Sequence, residues 1–311
     1  MSMRRKVSIV TPIHNRREIS LQCLRSLSRI NSTGLDIRIF VVDDGSSDGS
    51  SEAIASEFPD VEIIQGDGSL WYTEGTNVGI RAALEDNPDY VLAINDDSVF
   101  EPFFLRHLVQ TADANPRSVI GPLLLLWDQP HRLFQTAPVW STLAGGWRHW
   151  QDQSVWTVPD VAWRVDLIVG NCVLFPAEVF HEFGFMDSRR FPNFGDAEFT
   201  PRLKRSGYEL VIEPRARVFC QPNAIPQRLR DRPKWQLFRE LFLDLKNPAN
   251  LTRTFLAHLR GGPSRSQGMV AFLILLMRIG IRLVTRNDES RNRPEPPLSE
   301  VFRNHVLAGE R

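Results

Sequence analysis

Along the first 125 residues, short apolar runs alternate with segments whose apolar residues recur at helical spacing. Residues 7–13, 37–42, 61–64 and 90–94 are β-branched or otherwise apolar runs, each short enough for a strand. Between them, 18–30, 53–58 and 76–84 place apolar side chains three and four apart, which predicts helices. A further helix is predicted over 101–114 and an extended segment over 118–126. Strands alternating with helices of this length predict βαβ units and a mostly parallel sheet, hence an α/β fold.

From Trp127 to Trp163 the regularity fails. Six tryptophans (127, 140, 147, 150, 156, 163) fall among Pro, Gly and His with no sustained period. Two readings stand side by side: aromatic packing beneath a long excursion over the core, or a surface for flat, hydroxylated ligands. The pattern then resumes, with a strand predicted over 165–175, helices over 177–183 and 198–205, and a strand over 209–212. Beyond Pro226 the character changes. Residues 235–245 and 251–259 read as basic amphipathic helices separated by Pro248, and 268–284 as a third helix with Arg278 and Arg282 one turn apart. The tail from 287 holds Pro294, Pro296 and Pro297 and is expected to be loosely ordered. The predicted division is a catalytic domain over 1–226, with halves meeting near residue 100, a basic helical extension over 227–286, and a polar tail over 287–311.

Composition adds limits. With 311 residues, 42% hydrophobic and 24% charged, the chain has ample material for a buried core. Lys+Arg and Asp+Glu number 37 each, so no overall field advertises a nucleic-acid partner, and none is expected. Neutrality hides an asymmetry. Residues 228–286 hold twelve Lys/Arg against three Asp/Glu, a local net charge of +9 balanced by −9 elsewhere. The cysteines Cys23, Cys172 and Cys220 are isolated and odd in number, which argues against a disulfide framework or a Cys-rich zinc site. Thr11, Pro12, His14 and Asn15 break the first apolar run, so no signal peptide is expected there. The longest apolar stretch, 269–277, is too short to span a bilayer. A cytoplasmic location is expected.

Three polar clusters end predicted parallel strands: Thr11 to Asn15, Asp43-Asp44, and Asp96-Asp97. In an open α/β sheet, ligands bind beyond the carboxyl ends of the strands, so these clusters can meet in one crevice. Asp-Asp-Gly-Ser is by itself a good turn, and each acidic pair alone can be only that. Two acidic pairs at equivalent strand ends repel unless something offsets their charge. A divalent cation with phosphates would do so, Asp oxygens being hard ligands suited to Mg²⁺ or Mn²⁺. There is no Gly-x-Gly-x-x-Gly and no Gly-Lys-Ser/Thr, so dinucleotide and Walker-type readings fail. Gly66, Gly68, Gly75 and Gly79 permit turns or close backbone approach. Asp196, near the start of a predicted helix, reads either as an N-cap or as a general base for an acceptor hydroxyl.

Taken together, 7–16 (Val-Ser-Ile-Val-Thr-Pro-Ile-His-Asn-Arg), 41–49 (Val-Val-Asp-Asp-Gly-Ser-Ser-Asp-Gly), 92–99 (Leu-Ala-Ile-Asn-Asp-Asp-Ser-Val) and 195–199 (Gly-Asp-Ala-Glu-Phe) resemble the family 2 inverting glycosyltransferases. The resemblance covers roughly residues 7 to 220. It implies a GT-A nucleotide-diphospho-sugar transferase fold with a C-terminal helical extension. The stretch 66–79, with Trp71-Tyr72, is similar to bacterial rhamnosyltransferase-like enzymes.

The resemblance also implies roles. Thr11, Pro12, His14, Asn15, Asp43 and Asp44 fall on nucleotide-binding segments, and one acidic side chain there would read the base. Gly68, Trp71 and Asn77 fall on the stretch that closes over the donor. Asp97 takes the place of the metal-binding aspartate, with Asp96 beside it and Mg²⁺ or Mn²⁺ as cofactor. Gly170 and Asn171 fall on the acceptor side, and Asp196 on the catalytic base. Two departures stand out. Gly195 occupies a position where the family often has Glu, with Glu198 as the candidate to compensate, and Cys220 stands where the family often has a histidine. The implied reaction is inverting transfer of a sugar from a nucleotide-diphospho-sugar to the hydroxyl of a saccharide or lipid-linked saccharide, in cell-surface polysaccharide or glycolipid assembly. The alternatives are a sugar-phosphate nucleotidyltransferase, which normally has a Gly-rich basic loop that 11–17 lacks, and a non-catalytic carbohydrate-binding protein. For the +9 segment the readings are solvated helix faces, or a platform on an anionic membrane surface that makes the protein peripheral to the inner face of the cell membrane.

Overall fold

The computed structural model describes residues 4–135, 138–148, 153–221 and 233–284. The Pro226 boundary, Arg228, Arg230, Arg232, Arg286, Trp150 and the tail over 287–311 lie outside the described residues, as does the side chain of Arg282.

The N-terminal half alternates as its pattern predicts. Strands β1 (Arg5–Ile13), β2 (Leu35–Asp43), β3 (Glu62–Gln65) and β4 (Tyr90–Ile94) run parallel in the order β3-β2-β1-β4. Helices α1 (Arg17–Leu27), α2 (Ser50–Glu57) and α3 (Trp71–Leu84) connect them. Val7, Ile9 and Ile13 of β1 enter one hydrophobic core and Val10 the other. Both faces of the sheet are therefore covered, which is why these strands read as continuous apolar runs. Helix α3 lies unusually close to β1. A Cβ at Gly79 would meet Val10 Cγ1 at 2.3 Å, and one at Gly75 would meet Pro12 Cβ at 2.9 Å.

After β4 the chain forms β5 (Ser98–Phe100), α4 (Phe104–Ala114) and β6 (Ser118–Leu126), then β7 (Leu133–Gln135) and a separate hairpin of β8 (Val139–Ser141) and β9 (Gly146–Arg148). There follow β10 (Trp163–Arg164), β11 (Cys172–Pro176), α5 (Glu178–Phe183), α6 (Asp196–Arg205) and β12 (Glu209–Cys220). Among the described residues the sheet has ten strands. It runs β10-β12-β6-β11-β4-β1-β2-β3, with β5 paired to β12 and β7 to β6. Strand β11 is antiparallel to both β4 and β6. The last helices are α7 (Lys234–Phe238), continued by a π turn over Arg239–Leu243, then α8 (Leu251–Gly261) and α9 (Arg265–Val284).

Two expectations need correction. The strand expected over 165–175 exists only as Cys172–Pro176. Upstream of it the chain leaves the sheet, and the Thr200 hydroxyl accepts the N–H of Ile168 (3.2 Å) that a ladder partner would otherwise take. The strand expected over 209–212 instead runs to Cys220. Pro214 has no N–H to give, yet a bulge between Glu213 and Arg217 lets pairing with β6 resume. The buried Glu213 carboxylate anchors that bulge, accepting the Arg215 N–H (2.9 Å) and the Thr111 hydroxyl (2.6 Å).

Candidate active site

The ends of β1, β2 and β4 lie side by side, and their polar clusters interlock. The carbonyl of Asp44 is 2.6 Å from His14 Nδ1. Asn15, at φ 51°, donates its N–H to Ser46 Oγ (2.9 Å) and accepts from the Ser47 N–H (2.8 Å). Asp43 accepts the Ser46 N–H (2.8 Å) and the Ser51 hydroxyl, which secures the turn after β2. Asp44 is buried and holds the loop in front of α3 by accepting the N–H groups of Gly68 (2.8 Å), Leu70 (3.2 Å) and Trp71 (3.0 Å). Trp71 needs that grip. At φ 60° it occupies a backbone region costing a non-glycine residue of order 1 kcal/mol or more. Its half-exposed ring lies 3.4 Å beneath Lys246 Nζ, a cation–π contact. Thr11 Oγ1 is buried without a hydrogen-bond partner, and Pro12 packs on Gly75.

At the end of β4, Arg16 bridges the acidic pair, with Nη1 2.8 Å from Asp96 Oδ1 and Nη2 3.3 Å from Asp97 Oδ2. Asp96 is fully engaged, since its Oδ2 also accepts the Ser20 hydroxyl (2.9 Å), and burial pushes its carboxyl up to about 6. Asp97 differs: its Oδ1 is buried with no partner. Among the described residues no group of three His, Cys, Asp or Glu side chains could hold a metal ion. The residues present therefore fit a cation held by Asp97 with the remaining ligands drawn from a diphosphate, and they do not fit an all-protein cage. Cys220 is buried near Asp97, its thiol pushed up to about 12, so it sits there as a neutral apolar side chain.

The second part of the site is a cavity of about 360 Å³ lined by Tyr72, Asn95, Phe134, Trp147, Gly170, Asn171, Phe194 and Asp196 among others. Asp196 starts α6 but does not cap it; its Oδ2 accepts the N–H of Gly170 (2.9 Å) across the cavity. Gly170 must be glycine for this approach, because a Cβ there would meet Asp196 Cγ at 2.9 Å. The Tyr72 hydroxyl donates to the Gly170 carbonyl (2.7 Å). Burial, then the nearby negative charge of Asp196 and more weakly that of Asp97, drive its pKa far upward, so Tyr72 stays a neutral donor. Burial likewise raises Asp196, against the Gly170 N–H, the first N–H groups of α6 and the Arg253 charge, which lower it. The absence of a Glu before Asp196 also has a cause. A side chain at Gly195 would strike Thr73 Cγ2 at 2.5 Å.

Two expected residues are not brought to this cleft. Asn77 is fully buried and its amide is spent on Met186, donating to the carbonyl (2.9 Å) and accepting the N–H (3.2 Å). Glu198 points away from the cavity, paired with Arg202 (2.9 Å) and near Arg260 (3.9 Å), so it does not stand in for the missing carboxylate beside Asp196. The ligand-surface reading of the tryptophan-rich segment holds for Trp147, which lines the cavity with its Nε1 buried and unpartnered, whereas the pattern gave no signal for Arg253, which stacks on Phe194 at the rear of the site from α8. Trp140 backs Trp147 edge-on (ring centroids 4.9 Å) and meets His258 of α8 (5.5 Å). Packing is thus the role of one tryptophan and cavity lining that of its neighbour.

Residues 8–140 match the pattern of Glycosyl transferase family 2. The sheet and its strand-end cleft are those of the GT-A fold, and this match over part of the chain agrees with the family 2 glycosyltransferase resemblance of the sequence motifs. Among characterised proteins the chain is 24% identical, over 60% of its own length and 67% of the relative's, to the N-acetylglucosaminyl-diphospho-decaprenol L-rhamnosyltransferase of Mycobacterium tuberculosis. It is also 24% identical to the low-salt glycan biosynthesis hexosyltransferase Agl10 of Haloferax volcanii, over 67% of this chain and 65% of that protein. Its fold is shared with GalNAc-T7 bound to UDP, GalNAc and Mn²⁺ (TM-score 0.57, 12% identity, 92% of this chain and 58% of that one). It is shared too with the mannosyltransferase PcManGT of Pyrobaculum calidifontis bound to GDP-Man and Mn²⁺ (TM-score 0.56, 14% identity, 100% of this chain and 82% of that one).

Proposed function

We propose that the protein transfers a hexosyl or deoxyhexosyl group from a nucleotide-diphospho-sugar to an acceptor hydroxyl with inversion, in the assembly of a cell-envelope glycan. The observation that carries this reading is the cleft itself, with Asp97 and its free oxygen at the end of β4 and Asp196 buried in an aromatic cavity, where Tyr72 and Asp196 both bind Gly170. The strand-end loops over 11–16, 43–46 and 66–71 take the nucleotide. Asp97 would hold Mg²⁺ or Mn²⁺, which when bound offsets the charge of the leaving diphosphate. Asp196 accepts the proton of the acceptor hydroxyl as that oxygen attacks the anomeric carbon. The bond from carbon to the diphosphate oxygen breaks on the opposite face, releasing the nucleoside diphosphate. Asp196 is the only carboxylate lining the cavity among the described residues, so no second one is placed to form a covalent glycosyl intermediate.

The acceptor is a saccharide, and its lipid-linked form is supported by the substrate in the mycobacterial relative's name. Trp147 Nε1 and Asn95 Oδ1, both buried without partners, offer a donor and an acceptor for its hydroxyls. No helix among the described residues is long and apolar enough to cross a membrane. The helices over 233–284 nonetheless expose Trp235, Phe238, Leu273 and Met277 beside Lys234, Arg239, Arg265 and Arg278. Such faces suit peripheral binding to anionic lipid, each nearby cation adding about 1 kcal/mol.

A screen of nucleotide-sugars for donor-induced thermal stabilisation, with and without Mn²⁺, tests the reading: a donor should raise the melting temperature more strongly with the cation. No response to any nucleotide-sugar overturns it. Salt-sensitive co-sedimentation with anionic but not neutral vesicles tests the membrane surface, and equal binding to both rejects it.

A further inference from the structure

We propose that Arg253 is a positioning residue for Asp196, supplying from helix α8 the positive charge that keeps the carboxylate ionised, and that the basic extension is thereby part of the active site. The proposal rests on the reading of Asp196 as the base. Lys234, Arg239, Lys246, Arg265 and Arg278 of this extension are exposed, and Arg260 is partly so. Arg253 is 7% exposed. Its backbone is fixed by the cap of α8, where Asn250 Oδ1 accepts its N–H (2.9 Å). Its Nη2 donates to the Pro248 carbonyl (2.6 Å), and its guanidinium carbon lies 3.8 Å from the ring centroid of Phe194. The Nη1 group is buried with no hydrogen-bond partner. Phe194 and Asp196 line the same cavity wall, so the guanidinium is seated against the back of the loop that carries the base.

A buried guanidinium with an idle N–H group is costly unless a nearby anion compensates it. Asp196, two residues from the Phe194 ring on which Arg253 stacks and in the same cavity lining, is the anion the proposal assigns to it. Burial lowers Arg253 to about 10 and the Asp196 charge pushes it back up; reciprocally, Arg253 lowers the Asp196 carboxyl. The other groups acting around Asp196 are the N–H groups of Gly170 and the start of α6, the neutral Tyr72 hydroxyl, and the buried Cys172 thiol that faces Tyr72. None of these carries a positive charge.

The test uses the full chain with ¹³C-labelled aspartate carboxyls, the Asp196 resonance being assigned by its loss in D196N. Arg253→Met, or Arg253→Gln where the methionine variant fails to fold, should raise the Asp196 titration midpoint by about one pH unit or more. Arg253→Lys should restore most of it, because the charge remains. The acid limb of turnover should move to higher pH in parallel. An unchanged midpoint in a folded neutral variant overturns the proposal, as does a rise in R253K equal to that in R253M. Near-normal turnover in D196N would defeat the base assignment instead, and the titration would still report whether Arg253 and Asp196 are coupled.

Discussion

The two halves of the cleft are built in different ways. The half proposed to take the donor comes from three adjacent parallel strand ends, and its acidic side chains are largely committed to local backbone: Asp43 to the turn after β2, Asp44 to the loop before α3. The half proposed to take the acceptor is gathered from distant segments: Phe134 and Trp147 from the excursion, Gly170 before β11, Asp196 at the head of α6, and Arg253 behind them from α8. In the half proposed for the donor, the loops' N–H groups are tied up by their own side chains, and Thr11 Oγ1 and one carboxylate oxygen of Asp97 are left without partners. In the acceptor half, burial leaves polar atoms without partners, at Asn95 Oδ1, Trp147 Nε1 and Arg253 Nη1. Such atoms cost stability when idle, and ligand or charge is what repays them.

That contrast can be broken in graded ways. Asp196→Asn should lower turnover by about 10²- to 10⁴-fold, the usual worth of a general base, while donor affinity stays nearly unchanged. If Asp196 is the base, wild-type turnover falls as the pH drops through its raised pKa, so the acid limb lies above the ordinary carboxylate range near about 4. A limb at or below that range contradicts the assignment. Asp97→Ala should weaken Mn²⁺-dependent donor binding by about tenfold or more, roughly 1.4 kcal/mol, with little effect when the cation is withheld. Gly79→Ala forces a methyl against Val10 and Val42 and should destabilise by about 1–2 kcal/mol, visible as a lower melting temperature. The smallest effect is reserved for Trp147→Phe, which keeps the ring but removes the idle N–H. It should raise the acceptor KM about fivefold, near 1 kcal/mol, and leave donor affinity alone.

The same contrast governs what a reader of the sequence can see. The strands, the parallel order of the first half, and the gathering of His14, Asn15, Asp44, Asp96 and Asp97 were legible because they depend on short apolar runs that end in polar clusters. Asn77 was misplaced because a buried amide that bridges the Met186 backbone looks the same in sequence as one that faces a ligand. Glu198 was misplaced for another reason: two residues beyond Asp196 on a helix, it points to a different face and meets Arg202 instead. Trp147 was visible only as one of six tryptophans read as packing or ligand surface, and Arg253 was invisible as a site residue, since nothing local distinguishes one tryptophan of the segment or one arginine of a basic helix from its neighbours. Only the packing of α8 against α6 and the β8–β9 hairpin places them.

The central claim is a single displacement driven by one carboxylate. The anomeric configuration of the first-formed glycoside, read from its anomeric proton coupling by NMR, tests it most directly. Inversion relative to the nucleotide-sugar is the predicted result. Retention would require a nucleophile and a second displacement, and would contradict the assignment of Asp196 as sole base.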